Sequence, residues 1–242
     1  MARRAQSSPS DQSRTVAANR MLSRAAGIDL GIAWLGGGVA DRLLIVQLLT
    51  FRSARASDAP TVAALHADSW RRSYRGSYAD AFLDGDVLAD RLLVWEERLQ
   101  QPTSDSSTVV AEADGRLVGF VHTVLDADPA WGALLDNLHI ASGYQRMGIG
   151  AQLMCHSATF VVKQRPRGPL HLWVHETNGG AQRFYEAMGG QCIESAPIPD
   201  VGGVPGRLNG APVKLRYAWS DPSVITTLTE DVASKVAPVS GA

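Results

Sequence analysis

The chain has 242 residues, of which 45% are hydrophobic and 19% charged, a composition typical of a folded globular protein and unlike a disordered, collagenous or disulfide-stapled one. The 23 basic and 24 acidic side chains give a formal net charge of −1, so no global field would recruit nucleic acid or an anionic membrane. Cys155 and Cys192 form no CxxC pair. This cysteine usage predicts neither a zinc site nor a disulfide framework and favours a cytoplasmic location.

The first 47 residues are predicted to be an N-terminal extension. Residues 1–26 place five arginines among small and polar side chains without apolar periodicity, a pattern typical of disorder. The apolar stretch Gly27–Ala40 is interrupted by Asp29, so its uncharged run is shorter than the roughly 18 residues of a membrane span. We therefore expect neither a membrane segment nor an export signal, and a mis-set start codon is a second explanation for this region.

The texture of the sequence changes at Leu48, where a domain of strands and helices is predicted to begin and to extend to residue 220. Ser57–Pro60 combines capping residues with a proline at a helix start, and Asp114-Gly115 between two β-rich runs indicates a hairpin. The predicted elements are strands at 48–52, 108–111, 117–124, 133–140, 170–174, 191–194 and 213–219, and helices at 57–72, 87–99, 149–162 and 179–188. Residues 221–242 are expected to be a frayed tail. This order predicts a mixed sheet with helices on its faces.

The most informative segment is residues 135–151, where a strand ends, a short loop turns and a helix begins. Gly148 and Gly150 flank that helix start. Because the first N–H groups of a helix have no internal partner and lie at the positive end of its dipole, the segment favours an anion such as phosphate. Glycines before a helix also serve turns alone, so the Gly-x-Gly pattern by itself leaves both interpretations open.

Two other phosphate-binding motifs are excluded by spacing. A dinucleotide fold needs a third glycine where this chain has Leu153, and it needs the motif after the first strand of a βαβ unit. A Walker loop needs Gly-Lys-Ser/Thr, which does not occur. Dinucleotide binding and nucleotide hydrolysis are therefore not predicted.

The hexapeptide Gln145–Gly150 resembles the Gln/Arg-x-x-Gly-x-Gly/Ala pyrophosphate loop of the Gcn5-related N-acetyltransferase (GNAT) superfamily. As in that family, a strand over Asn137–Ile140 enters the loop and a helix continues from it. Leu172–Val174 and Asn178–Gly189 resemble the family's fifth strand and fourth helix, and the resemblance extends over about residues 50–220. It implies the family's fold, an α/β mixed sheet that is mostly antiparallel and splayed between strands 4 and 5, with helices on both faces.

The resemblance further implies acetyl-CoA as a co-substrate, with no metal. Pantetheine is expected along Leu138 and Ile140, and Asn178 is expected to hold the pantetheine or a bridging water. An amine would attack the thioester directly, and a backbone N–H near His139 or Ile140 would stabilise the oxyanion. The residues implied in holding the pyrophosphate are Gln145, Arg146, Met147, Gly148, Ile149 and Gly150.

Three residues are candidates for proton transfer. Tyr185 is expected to protonate the departing CoA thiolate, although an aromatic pair on an amphipathic helix is also typical of core packing. The sequence does not identify a general base, because Leu134 stands where several relatives carry a glutamate. Asp136 lies two residues later on the same strand face and could activate the amine. An aspartate at a strand end is also typical of a side chain that is only solvated. His139 has an ordinary pKa of about 6.5, but a lone strand histidine is also structural, and an amine of low pKa needs no protein base.

The leading hypothesis is an acyl-CoA-dependent N-acyltransferase, with acetyl the expected group and an amine of a small molecule or peptide as acceptor. The alternative is an acyl-CoA-binding sensor without turnover, which the departures at Leu134 and Gly190 keep open. Gly190 stands where relatives have an aromatic residue and is expected to loosen the packing of the next strand. No nucleic-acid or membrane partner is expected, and homodimer formation is left open.

The acceptor is expected to meet the loops around residues 70–86 and 198–210. Trp70 is expected in the core rather than at the acceptor, and paired acids in a loop are often only solvated. The candidate side chains are Trp70, Arg71, Tyr74, Asp84 and Asp86.

Overall fold

The structure, a computed structural model, describes residues 49–236, with side chains described through residue 229. The predictions for residues 1–48 and 237–242 lie outside this range. The elements are β1 (Leu49–Ser53), α1 (Ala59–Ser73), α2 (Asp80–Asp84), α3 (Val87–Gln100), β2 (Ser106–Ala113), β3 (Arg116–Asp128), β4 (Gly132–Ile140), α4 (Ile149–Gln164), β5 (Leu170–His175), α5 (Gly179–Ala187), β6 (Gln191–Pro197), β7 (Val213–Trp219) and α6 (Ser223–Val236). The short helix α2 and the helix α6 were not predicted.

The strands form one mixed sheet in the order β1-β2-β3-β4-β5-β7-β6. Neighbouring strands are antiparallel except for β4 and β5, which run parallel. That parallel pair is short, because only Ala133 with Leu170 and Leu134 with His171 are in register. Beyond these residues the two strands diverge, and the sheet is open along the second half of β4. The predicted mostly antiparallel sheet, splayed between its fourth and fifth strands, is confirmed.

Helices cover both faces of the sheet. Side-chain alternation along β3 places Phe120 and Val121 on opposite faces. Val121 packs with Leu153 of α4 in the larger core, whereas Phe120 packs with Val62 of α1 and Trp95 of α3. The two layers of helices therefore enclose the sheet at the place where β4 leads into its loop.

A β-bulge interrupts β4 at Asp136. Thr123 of β3 pairs with Leu135 and the preceding His122 pairs with Asn137, so Asp136 is an extra residue on β4. Because a bulge shifts the alternation of side chains by one position, Asp136 and Asn137 both reach Arg98 on α3. The bulge thus brings Asp136, Asn137 and His139 to one face, while Leu138 faces α4.

The expected frayed tail is corrected by helix α6. Asp221 accepts a hydrogen bond from the backbone N–H of Ser223 at 3.0 Å, and Pro222 follows it, a combination that favours a helix start. Ile225 is fully buried in the larger core. The helix was not predicted because its short apolar face lies in a stretch rich in serine and threonine. The Asp221-Pro222 pair was the sequence signal that indicated a helix start.

The expected loosening at Gly190 is also wrong. A Cβ atom at this position would lie 2.5 Å from Cζ2 of Trp219. Trp219 is itself buried, and its indole N–H donates to the carbonyl oxygen of Met188 at 2.9 Å. The aromatic ring comes from β7 instead of the residue after the helix-ending glycine, and the packing there is tight.

Candidate active site

A cleft of about 990 Å³ occupies the opening between β4 and β5. It runs from the start of α4, past α5, to α1 and α3. The predicted site residues that line it are Asp136, Leu138, His139, Ile140, Gln145, Arg146, Gly148, Gly150, Asn178 and Tyr185. The structure therefore brings the predicted catalytic and binding residues into one cavity.

Two predicted residues of the glycine loop, Met147 and Ile149, do not line the cleft. Ile149 is buried in the larger core and Met147 packs against that core. Their side chains anchor the loop, so only their main chain is available to a ligand.

The loop before α4 is held in a conformation that presents its backbone. Gly148 has φ of +81° and Arg146 has φ of +62°, both in the left-handed region that glycine adopts without strain. A Cβ at position 148 would meet open space, so the backbone, and not a clash with the protein, calls for glycine there. Without a side chain at position 148, the backbone of the loop is open to the cleft that Gly148 lines.

The start of α4 has unused donors. Its first internal hydrogen bond runs from the N–H of Gln152 to the carbonyl of Gly148 at 3.1 Å, and within residues 49–236 no side chain caps it. The preceding N–H groups of the helix therefore have no intrahelical partner and lie at the positive end of its dipole. Arg146 and Arg183 line the same end of the cleft. This end is suited to an anion with several oxygens.

The free edge of β4 supplies further backbone groups. The N–H of Ala141 donates to the carbonyl of Val118 on β3 at 2.8 Å. Hydrogen-bonded and non-hydrogen-bonded pairs alternate along an antiparallel ladder, so the N–H groups of Leu138 and Ile140 point away from β3 into the opening. That of His139 points to β3. Of the two backbone donors expected near the reacting carbonyl, the structure favours Ile140.

Tyr185 lies at the middle of the cleft on α5. It is only 8% exposed, and its ring lies 6.0 Å from that of Tyr217 and 6.3 Å from that of Trp219. Burial, with a smaller contribution from Tyr74, raises the pKa of Tyr185. The phenol is therefore protonated at physiological pH and available as a proton donor, while its ring packs in the core.

Asn178 has a structural role as well as a place in the cleft. It precedes α5, and its Oδ1 accepts a hydrogen bond from the N–H of Ala181 at 3.1 Å. This bond caps the helix. The Nδ2 group is left as the donor that Asn178 could offer to a ligand.

Asp136 and His139 lie at the far end of the cleft from the glycine loop. Nη2 of Arg98 lies 2.8 Å from Oδ2 of Asp136. Nδ1 of His139 lies 2.9 Å from the hydroxyl oxygen of Ser69, and its ring stacks on that of His66 at 4.5 Å. Burial, with contributions from neighbouring charges, lowers the pKa of His139 to about 4. The imidazole is therefore neutral at physiological pH and able to accept a proton or hydrogen bond.

The two loops expected to meet the acceptor are joined to one another. Tyr78 forms an antiparallel bridge with Leu208, and the N–H of Asn209 donates to the carbonyl of Ser77 at 2.9 Å. Tyr78 lines the cleft. The junction therefore holds the two loops together beside the cleft.

Only some of the predicted acceptor residues reach the cleft. Trp70 and Tyr74 line it, and Trp70 also belongs to a buried cluster, as expected. Asp84 pairs instead with Arg75 at the surface. Arg71 donates to the carbonyl of Leu83, and neither it nor Asp86 is among the lining residues. Lining residues that the sequence did not single out are Ser69, Ser73, Tyr78, Arg91, Arg98 and Arg183.

The residues that the structure describes contain no group of three or more His, Cys, Asp or Glu side chains placed to hold a metal ion. In the same part of the chain, no helix is both long and apolar enough to cross a membrane.

A mixed sheet that opens between two parallel strands onto an uncapped helix start, with a tyrosine in the opening, is the architecture expected of the N-acetyltransferase superfamily. Residues 61–190 match the model of the acetyltransferase (GNAT) family. The match covers more than half of the chain, and the protein belongs to this family. The resemblance carried by the glycine loop is thereby confirmed.

Relatives agree with this assignment. The chain is 30% identical to the probable N-acetyltransferase Rv2775 of Mycobacterium tuberculosis, over 57% of this chain and 77% of that protein. It is 33% identical to streptothricin acetyltransferase of Streptomyces lavendulae, over 57% of this chain and 79% of that protein. Among solved structures, PaiA N-acetyltransferase from Thermoplasma acidophilum in complex with coenzyme A has the same fold, with a TM-score of 0.52 and 21% identity over 71% of this chain and 99% of that one.

Proposed function

We propose that this protein transfers an acetyl group from acetyl-CoA to an amine, by direct attack of the amine on the thioester while both are bound. The observation that carries the proposal is the single cleft that joins the uncapped start of α4, the free edge of β4 and Tyr185. A structure of PaiA is described in complex with coenzyme A, and yncA from Salmonella typhimurium, at a TM-score of 0.50, with acetyl-CoA. These neighbours support the choice of co-substrate.

The pyrophosphate of acetyl-CoA would lie on the backbone N–H groups of residues 145–150, beside Arg146 and Arg183. Met147 and Ile149 fix that backbone by burying their side chains. Pantetheine carries amide groups, which would pair with the main chain of Leu138 and Ile140 as an added strand would. The Nδ2 group of Asn178 would donate to the pantetheine or to a bridging water.

The chemical step forms a C–N bond and breaks the C–S bond of the thioester. As the amine attacks, negative charge develops on the carbonyl oxygen, and the N–H of Ile140 would stabilise it. One such preorganised donor contributes about 3 to 4 kcal/mol. Tyr185 then donates its proton to the departing thiolate. Holding both reactants in one cleft supplies most of the remaining acceleration.

The nitrogen must lose a proton, and the site offers only weak bases for it. Once nitrogen has attacked, it is far more acidic than a free ammonium ion, so the neutral imidazole of His139 suffices as the acceptor. Asp136 would orient the amine by accepting a hydrogen bond from it. The amine itself would bind in its neutral form, or would lose its first proton to water.

The test is release of CoA thiol from acetyl-CoA in the presence of a broad panel of amines, combined with a titration of CoA binding. We expect binding of CoA and amine-dependent thiol release, with one acetyl group appearing on the amine for each thiol. Tight binding of CoA without thiol release across the panel would instead favour the sensor alternative. Absence of CoA binding would overturn both.

A further inference from the structure

A guanidinium group at the acceptor end of the cleft is not fully neutralised by the protein. Arg91 lies on α3 and lines the cleft. Its side chain is only 11% exposed, and its guanidinium carbon lies 4.5 Å from the ring centroid of Trp70. The guanidinium group therefore places a positive charge in the lining of the cleft.

One carboxylate serves two arginines here. Oδ2 of Asp90 accepts the Nε–H of Arg91 at 2.9 Å, while Oδ1 accepts from Nη1 of Arg207 at 2.6 Å. Burial acts to raise the pKa of Asp90, but hydrogen bonds and charge from Arg91 and Arg207 prevail and lower it. Asp90 is therefore ionised, and two positive charges face one negative charge.

Arg91 also has hydrogen-bonding capacity to spare. Its Nε and Nη2 both donate to Asp90, whereas Nη1 makes no hydrogen bond to any residue that the structure describes. Nη1 is not among the buried atoms without a partner, so it is accessible from the cleft that Arg91 lines and is available to an anion or another acceptor. Planar guanidinium groups suit carboxylates in particular, because they donate two parallel hydrogen bonds.

The other charges at this end do not remove the excess. Arg98 and Asp136 form a pair of zero net charge. The Trp70 ring, over which Arg91 lies, is 4.8 Å from the ring of His66, and the His66 ring is 4.5 Å from that of His139. The proposed amine site and the uncompensated guanidinium are therefore neighbours.

We propose that Arg91 binds an anionic group of the acceptor, so that the substrate is an amine that also carries a carboxylate, as an amino acid does. The inference rests on the proposed function and adds the class of acceptor to it. The amine would lie against Asp136 and His139, and the carboxylate against Nη1 of Arg91, above the aromatic surface of Trp70.

The first test compares acceptors that differ only in the anion. Thiol release is measured with L-leucine against L-leucinamide and with γ-aminobutyrate against butylamine, and 3-aminopropylphosphonate distinguishes a carboxylate site from a general anion site. We expect kcat/KM at least tenfold higher for each carboxylate than for its uncharged partner. Leucinamide has the less basic amine, and more of it is neutral near pH 7.5, so a preference for leucine could not come from amine reactivity.

The second test uses variants. Arg91→Met leaves Asp90 paired with Arg207, and we expect it to raise KM for the preferred acid about tenfold or more while changing KM for acetyl-CoA and for the uncharged partner little. Arg91→Lys keeps the charge but loses the planar fork, and should fall between the two. Arg165→Met, which removes an exposed charge paired with Asp126, is the control and should leave the preference unchanged.

The outcomes separate the two proposals. Equal rates for acids and uncharged partners, a preference for diamines such as putrescine, or an equal loss toward both acceptor types in Arg91→Met would overturn the anion site and leave the transferase intact. If no acceptor in any arm of the experiment causes thiol release, the transferase and the anion site are both overturned. If Arg91→Met does not fold, the wild-type comparison and Arg91→Lys decide.

Discussion

The two ends of the cleft are built from different parts of the chain. The proposed cofactor end uses the main chain, namely the turn at Gly148, the start of α4 and the free edge of β4 at Leu138 and Ile140. The proposed acceptor end uses side chains, among them Asp136 and Arg91, which come from a strand and a helix far apart in the sequence.

Because of this difference, a side-chain substitution is expected to have different effects at the two ends. Backbone N–H groups survive most side-chain changes, so the cofactor end is sensitive only where a residue sets the path of the chain. At the acceptor end, one side chain changes the charge or shape presented to the amine. The same scaffold can therefore keep one cofactor while its acceptor changes, and the following substitutions test that division.

The largest effect is expected from Gly148→Val. Valine is strained at φ of +81°, and its side chain would occupy the open space from which the pyrophosphate approaches. We expect CoA affinity to fall below detection by calorimetry while circular dichroism shows a folded protein. Retained affinity would contradict the backbone cradle.

Gly143→Val is the matched control for strain. Gly143 lies in the same loop with φ of +89° and open space around its Cβ position, but it is not among the residues that line the cleft. We expect a similar loss of stability and far less loss of CoA affinity. Equal loss in both variants would show that loop conformation, and not access to the helix start, controls binding.

Tyr185→Phe should lower kcat about 100-fold, because the thiolate then leaves without its proton donor. KM for acetyl-CoA should change little. Tyr217→Phe is the comparison, since the Tyr217 hydroxyl donates to Oε1 of Glu186 at 2.9 Å and is not among the lining residues. It should cost about 1 kcal/mol of stability and leave kcat near that of the wild type. Equal kcat values in the two variants would end the assignment of Tyr185 as the acid.

The residues of the proposed cofactor end can be named from the sequence because they form one local segment. The strand end, the loop and the helix start all lie within residues 135–151, whereas the left-handed conformation of Gly148 is a finding of the structure. The order of strands and helices predicts a mixed sheet, and the family resemblance implies its splay between strands 4 and 5. The sequence could not show which backbone N–H points into the opening. The choice of Ile140 over His139 required the pairing of β4 with β3.

The acceptor end is hidden from sequence for a physical reason. The bulge at Asp136 depends on how β4 pairs with β3, and no turn residue marks it. Arg91 looks like any charged residue on an amphipathic helix. Its role arises only when α3 packs so that Asp90 is shared with Arg207, more than a hundred residues later in the chain.

The substitution Asp136→Asn tests whether the negative charge of Asp136 is needed for the reaction of the amine. The amide keeps an oxygen for Arg98 but presents no charge to the amine, and we expect kcat/KM to fall about 30-fold with little change in CoA affinity. Asp126→Asn removes an exposed charge of the same sign and should be neutral. If both variants behave alike, Asp136 serves only as the partner of Arg98.

The smallest effect expected is on the free energy of unfolding below neutral pH, and it comes from buried imidazoles such as those of His122 and His139. Burial, with Arg98 opposed by Asp136, lowers the pKa of His122 to about 4, and His139 is lowered to about 4, against about 6.5 in an unfolded chain. As the pH falls below about 6.5 the unfolded chain takes up protons first, so stability present at higher pH is lost between about pH 6.5 and 4. The lowered carboxyl pKa values act only below this window.

For His122 alone, the loss in the free energy of unfolding at pH 5 is about 1 to 2 kcal/mol. Urea unfolding at pH 7.5 and 5 measures it, and His122→Gln, which can still bond Thr108, should reduce the difference between the two pH values; an undiminished difference would place the acid sensitivity elsewhere.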